Sequence, residues 1–121
     1  MGYSKQYIEH FTNPRGIGDI SNPDAVAEVK HEGGGCFDTI RLGVKISDNI
    51  ITDMKFRARA CSGTIAACSA LVDKVMGMKT DEASKLTPDD LADYLGGIPD
   101  KKQHSVELAI EALRKAIIPE N

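Results

Sequence analysis

Phe56-Arg57-Ala58-Arg59-Ala60-Cys61-Ser62-Gly63-Thr64-Ile65-Ala66-Ala67-Cys68-Ser69-Ala70-Leu71-Val72-Asp73-Lys74-Val75-Met76 is the stretch whose periodicity decides the fold. Phe56, Ala58 and Ala60 alternate with polar residues, as at the end of a strand. From Ser62 the period lengthens, and Ile65, Cys68, Val72 and Val75 fall on one helical stripe. Cys61 therefore stands where a strand becomes a helix. Unpaired N–H groups and a partial positive charge at a helix N-terminus favour a thiolate over a thiol. Cys61 is thus the first candidate for chemistry.

Upstream, Phe37–Ile46 is the clearest strand, with Ile40, Leu42, Val44 and Ile46 facing one way and Thr39, Arg41 and Lys45 the other. By parity Cys36 and Asp38 share the apolar side. Ser47-Asp48-Asn49 reads as a turn, and Ile50–Ala60 as a second strand with Met54, Phe56 and Ala58 inward. Directly opposed residues share a face. A two-residue turn would pair Ser47 with Ile50 and set apolar against polar. A three-residue loop pairs Ile46 with Ile50, Leu42 with Met54, Ile40 with Phe56, Asp38 with Ala58 and Cys36 with Ala60. With strands roughly 5 Å apart, Cys36, Asp38 and Cys61 then meet at one end of the hairpin.

The remaining elements are helices and one further strand. Tyr3–Phe11 has an amphipathic look through Tyr3, Tyr7, Ile8 and Phe11, and Asn13-Pro14-Arg15-Gly16 stops it. Ala25–Lys30 is a possible first strand, followed by the Gly33-Gly34-Gly35 loop. Gly77 breaks the central helix, and Thr80-Asp81-Glu82 suits a short helical turn. Thr87-Pro88-Asp89-Asp90 is a strong helix start, and Gly96-Gly97 ends that helix. Asp100–Gln103 resembles a capping box opening a last helix. Val106, Ala109, Leu113, Ala116 and Ile117 line its buried stripe, with Glu107, Glu111, Arg114 and Lys115 toward water. Met54 and Met76 read as core.

With 121 residues, 27% charged and 41% apolar, the chain reads as one globular domain spanning residues 1–121. A net charge of −3 and the lack of a long basic run argue against nucleic acid. No apolar run approaches a membrane span. The start Met1-Gly2-Tyr3-Ser4-Lys5 lacks a signal-peptide core, so a cytoplasmic protein is expected. Three cysteines fit metal or thiol chemistry better than a disulfide framework.

Cys36, Asp38, Cys61 and His104 make the candidate constellation. Two thiolates, a carboxylate and an imidazole suit a zinc or iron centre. Plainer readings stand beside it. Asp38 could cap a turn after the glycines, and His104 could be an exposed first-turn histidine. Cys68 lies on the core stripe two turns from Cys61, about 10 Å away, and reads as packing. Cys61 with His104 could be a nucleophile and base, but no oxyanion site or orienting third group is visible. Arg57 and Arg59 read as a solvated strand face, with a partner surface as the sharper alternative.

Four ordered segments resemble the IscU/NifU-type iron–sulfur cluster assembly scaffolds. Tyr7–Gly18 (Y-I-E-H-F-T-N-P-R-G-I-G) is similar to that family's H-x-x-N-P-R-N-x-G opening. Cys36-Phe37-Asp38 is similar to its C-G-D, Ala60–Ser69 to its G-C-x-x-x-x-A-S-S-S segment, and Lys102-Gln103-His104-Ser105 to its K-x-H-C. The resemblance implies a compact α+β fold, a small antiparallel sheet of about three strands packed against several helices. It implies a non-enzymatic carrier on which a transient [2Fe–2S] cluster is built, with sulfur from a cysteine desulfurase, and handed to recipient apo-proteins. Cys36 and Cys61 would be thiolate ligands or sulfur acceptors, His104 a further ligand, and Asp38 the harder ligand that keeps the cluster labile. Zinc or iron could occupy the same site.

The departures are specific. Ser105 replaces the family's third cysteine, and a hydroxyl neither ligates like a thiolate nor holds a persulfide. Cys68 replaces a family serine, and Phe37 the glycine of C-G-D. Ile98–Lys102 only partly resembles the L-P-P-V-K chaperone motif, so a chaperone partner does not follow. The alternative reading is a zinc-binding or regulatory relative that has lost cluster assembly. A cysteine-nucleophile enzyme is the third.

Overall fold

Asp48 and Asn49 both take positive φ, 52° and 65°, and turn the chain between its two longest strands. That is the two-residue hairpin turn whose twist suits flanking strands. The computed structural model describes residues 4–33, 36–98 and 103–118; the side chains of 31–33, 36 and 37 lie outside the description. The element order is α1 Lys5–Thr12, β1 Ala25–Gly33, β2 Cys36–Ser47, β3 Ile50–Arg59, α2 Ser62–Val75, α3 Thr80–Ala83, α4 Pro88–Tyr94 and α5 Gln103–Ile117. The three strands form one antiparallel sheet in the order β1-β2-β3. The architecture is α+β, as the sequence predicts.

The expected three-residue loop is not formed. Ser47 pairs with Ile50, and the apolar-against-polar mismatch this creates is resolved one step later. Ile46 faces Ile51 but Lys45 faces Asp53, so Thr52 is an extra residue. Its hydroxyl donates to the Lys45 carbonyl at 3.2 Å. Such a bulge switches the inward parity of β3. Ile51, Met54 and Phe56 are all buried. Beyond the bulge Val44 pairs with Met54, Leu42 with Phe56 and Ile40 with Ala58. The register is thus displaced by two residues from the expected one. The last pair is Thr39 with Arg59, which brings Asp38, rather than Cys36, level with the start of the β3–α2 junction.

One face of the sheet carries the core. Ile40, Leu42, Val44, Met54 and Phe56 pack against Leu71 and Val75 of α2 and Val106, Ile110 and Leu113 of α5. Helix α2 is buried on nearly every side, with Ala66, Ala67, Cys68, Ser69, Ala70 and Leu71 all inside. Its small residues let α1, α5 and the sheet approach closely. Helix α4 opens with the predicted cap, Thr87 and Asp90 exchanging side-chain and backbone hydrogen bonds. It closes on Gly96 and Gly97 at φ 76° and 95°. The capping box expected at Asp100–Gln103 falls largely on residues outside the description.

Two packing expectations are corrected. Met76 is 40% exposed, because the helix ends at Val75 and the chain turns away. In α1 the inward residues are Tyr7 and His10, while Ile8 and Phe11 are exposed. A polar cluster takes the place of an apolar stripe there. His10 Nδ1 lies 2.7 Å from Ser69 Oγ of α2, and Ser69 Oγ also accepts from the Arg15 N–H at 2.9 Å. The first strand extends to Gly33, beyond the predicted Lys30.

Candidate metal centre

Cys61 holds the N-cap position of α2 without a capping hydrogen bond from its own side chain. The partner comes from β2 instead. The Cys61 N–H donates to Asp38 Oδ1 at 3.2 Å. Asp38 is 1% exposed, yet its carboxylate is satisfied on every side. The Thr64 hydroxyl donates to Oδ2 at 2.8 Å, and His104 Nε2 stands 3.2 Å from the same oxygen. A buried carboxylate is tolerated here by these bonds and by the positive end of α2. The reading of Asp38 as a cap for the glycine turn is therefore replaced: it caps α2 across the sheet end.

His104 lies in the first turn of α5 and is turned inward rather than exposed, its side chain 21% accessible. Its Nε2 is 4.0 Å from Cys61 Sγ. Cys61 Sγ is also 3.8 Å from Asp38 Oδ2 and 3.8 Å from Ser105 Oγ. Ser105 is fully buried beside Thr64, the two hydroxyl oxygens 3.1 Å apart. The ligand-type atoms of Asp38, Cys61 and His104 all lie within 4.8 Å of one another.

Burial pushes the Cys61 thiol up. Hydrogen bonds from the Thr64 N–H, the Thr64 hydroxyl and the Ser105 hydroxyl more than offset it, against the Asp38 charge, so the thiol lies below its ordinary value of 9.0. Thr64 has one hydroxyl proton, and the short bond to Asp38 holds it. The Thr64 N–H and the Ser105 hydroxyl are then the donors left for a thiolate. Cys68 behaves oppositely. It is buried among apolar residues, which pushes its thiol far up, and it packs as the sequence reading expects.

Donor spacing tests whether a cation fits. Metal–sulfur bonds near 2.3 Å and metal–nitrogen or –oxygen bonds near 2.0 Å require tetrahedral edges of about 3.3–3.5 Å. The observed edges are 3.2 Å between His104 and Asp38, 3.8 Å between Cys61 and Asp38, and 4.0 Å between Cys61 and His104. All three are within roughly half an ångström of one tetrahedral face. Cys36 opens β2, and the position of its thiol lies outside the description. Thr64 is the residue that the sequence reading missed. Its position three residues after the helix cap is the signal, since side chains at that spacing reach back to the cap.

A small α+β protein with a soft and a hard donor joined at the open end of a three-stranded sheet defines a narrow class. The family described as the NifU-like N-terminal domain matches residues 2–119. The chain is 39% identical over 116 residues to iron-sulfur cluster assembly scaffold protein IscU 1 of Archaeoglobus fulgidus, covering 96% of this chain and 74% of that one. It is 34% identical over 119 residues to the scaffold protein IscU of Haemophilus influenzae, covering 97% and 94%. The crystal structure of a NifU-like protein (N-terminal) from Brucella abortus shares the fold, with a TM-score of 0.76 at 24% identity, over 94% of this chain and 90% of that one. This chain belongs to the IscU/NifU iron–sulfur scaffold family.

Proposed function

We propose that this protein is a non-enzymatic scaffold, one domain over its length, that receives sulfur from a cysteine desulfurase, holds a transient [2Fe–2S] cluster as its cargo, and passes it to recipient apo-proteins. The convergence of the Cys61 thiol, the Asp38 carboxylate and the His104 imidazole carries this reading. Cys36 is assigned as the second thiolate on its place at the start of β2. These four side chains supply the four terminal ligands that a [2Fe–2S] unit takes. Two thiolates bind iron firmly, while the harder carboxylate is the weak arm through which cargo leaves. Cluster transfer needs such a weak arm. Cys61 Sγ must give up its proton to bind iron, so loading improves as pH rises.

The test is anaerobic reconstitution with ferrous iron, cysteine and a cysteine desulfurase, followed by iron, sulfide and zinc analysis with visible absorption. About two irons and two sulfides per cluster are expected. Cys61→Ala and Cys36→Ala should each abolish the cluster, and a cluster retained in either variant rejects the assignment. A second reading, a zinc-binding relative that no longer assembles clusters, is favoured by Ser105 standing where the family has a third cysteine. Zinc held firmly with no sulfide under reconstitution would select it.

A further inference from the structure

The outer face of the sheet carries charges that the metal centre does not use. Strand register arranges its side chains in rows across the three strands. Glu28 pairs with Arg41 and Arg41 with Arg57; Lys30 pairs with Thr39 and Thr39 with Arg59. Lys30, Arg41, Arg57 and Arg59 are all exposed. The next row, Val26, Gly43 and Lys55, is different. There the segment from Gly18 to Pro23 crosses the sheet, and a side-chain carbon at Gly43 would stand 3.8 Å from Ile20 and Pro23. The crossing segment covers one half of the face and leaves the basic rows open.

That open half is electrostatically unbalanced. Like charges directly opposed across an antiparallel pair are destabilising, and Arg41 stands directly opposite Arg57. Arg57 is held by Asp19 at 2.7 Å, at the rim of the covering segment. Among the described residues, Lys30, Arg41 and Arg59 take part in no ion pair. Among the described side chains four cations face two carboxylates, Glu28 and Asp19; Glu32, next after Lys30 on the same face of β1, has its side chain outside the description. A charge pattern that costs stability in the free protein fits one that is compensated in a complex. The position adds a reason. Arg59 is two residues before Cys61, and Thr39 directly follows Asp38. The Lys30–Thr39–Arg59 row therefore borders the metal centre, with the Glu28–Arg41–Arg57 row next to it.

We propose that the basic rows of the outer sheet face, Lys30, Arg41, Arg57 and Arg59, dock a protein partner that presents an acidic surface alongside the metal centre. A protein fits this face better than a nucleic acid or an anionic membrane. Glu28 and Asp19 punctuate the patch and would repel a uniform array of phosphates, whereas a protein surface can oppose them with lysines. The proposal stands on the sheet register and does not depend on which cargo the centre holds.

The test uses the full chain, labelled with nitrogen-15 and titrated with poly-L-glutamate as the acidic probe. Amide shifts are expected along Glu28–Lys30, Thr39–Arg41 and Arg57–Arg59. The triple variant Arg41→Glu/Arg57→Glu/Arg59→Glu should weaken binding by about tenfold or more, and the charge-matched variant Lys5→Glu/Lys79→Glu/Lys85→Glu by less than about twofold. If the first variant fails to give a folded spectrum, Arg41→Gln/Arg57→Gln/Arg59→Gln takes its place, with about a threefold or greater loss expected. Equal weakening by the two sets, shifts confined to other surfaces, or tighter binding of a DNA duplex or of phosphatidylserine vesicles than of poly-L-glutamate would overturn the proposal.

Discussion

Ser105 is where this chain's chemistry can be tuned by one atom. Its oxygen lies 3.8 Å from Cys61 Sγ, and the side chain is fully buried. It acts on the thiol through a hydrogen bond that holds the thiol down against burial. Ser105→Ala removes that bond and leaves burial to act, so the pH midpoint of Cys61 alkylation should move up. Ser105→Cys should do something different: it adds a third thiolate beside the first, and the reconstituted cluster's visible absorption should decay more slowly than in the parent. A cluster no longer-lived in Ser105→Cys would show that the buried position cannot reach iron. Thr64 is a less tractable handle, because its hydroxyl also satisfies Asp38 at 2.8 Å. Removing it disturbs the carboxylate and the thiol together.

At the scale of the element, the β2–β3 hairpin decides where Asp38 meets Cys61. The turn needs positive φ at two consecutive residues, which Asp48 and Asn49 provide at 52° and 65°. A β-branched residue tolerates that region badly. Asn49→Val should cost about 1–2 kcal/mol, read as a lower urea midpoint with an unchanged slope. The bulge at Thr52 belongs to the same device. A two-residue turn alone would point the apolar residues of β3 to solvent, and one extra residue restores them to the core. The sequence alternation of β2 and β3 was legible, and so was the place of the turn, but not its two-residue length. The bulge was not, because Thr52 and Asp53 carry no residue type that demands one, and a three-residue loop satisfied parity equally well.

Across the whole molecule, α1 is held to α2 by a titratable contact. His10 is buried against Ser69, with Asp73 3.9 Å from its other nitrogen. Burial and the Arg15 charge push the imidazole below its ordinary 6.5, and the carboxylates of Asp73 and Glu9 only partly oppose them. The unfolded chain therefore binds a proton near pH 6.5 that the folded chain still refuses. This contribution to stability is present above about pH 6.5 and is lost as pH falls from there toward the folded value. Denaturation midpoints measured between about pH 7.5 and 5 should fall, and His10→Gln should flatten the slope. An unchanged slope would assign the acid sensitivity to other groups. No helix among the described residues is long and apolar enough to cross a membrane.

The sequence by itself determined the elements of this protein and named the candidate donors of its site. Alternation in β2 and β3, the switch to helical spacing after Cys61, the Thr87 cap and the stripe of α5 are local patterns, set by neighbours a few residues away. Cys36, Asp38, Cys61 and His104 could be named as candidate donors because thiol, carboxylate and imidazole chemistry belongs to the residue type. Only the tertiary structure decided how they meet. The two-residue shift of register places Asp38 at the cap of α2, and the docking of α5 turns His104 inward and buries Ser105. Those outcomes depend on packing between segments far apart in the chain, where several registers satisfy the same alternation. The core chooses among them by which one buries Ile51, Met54 and Phe56 together.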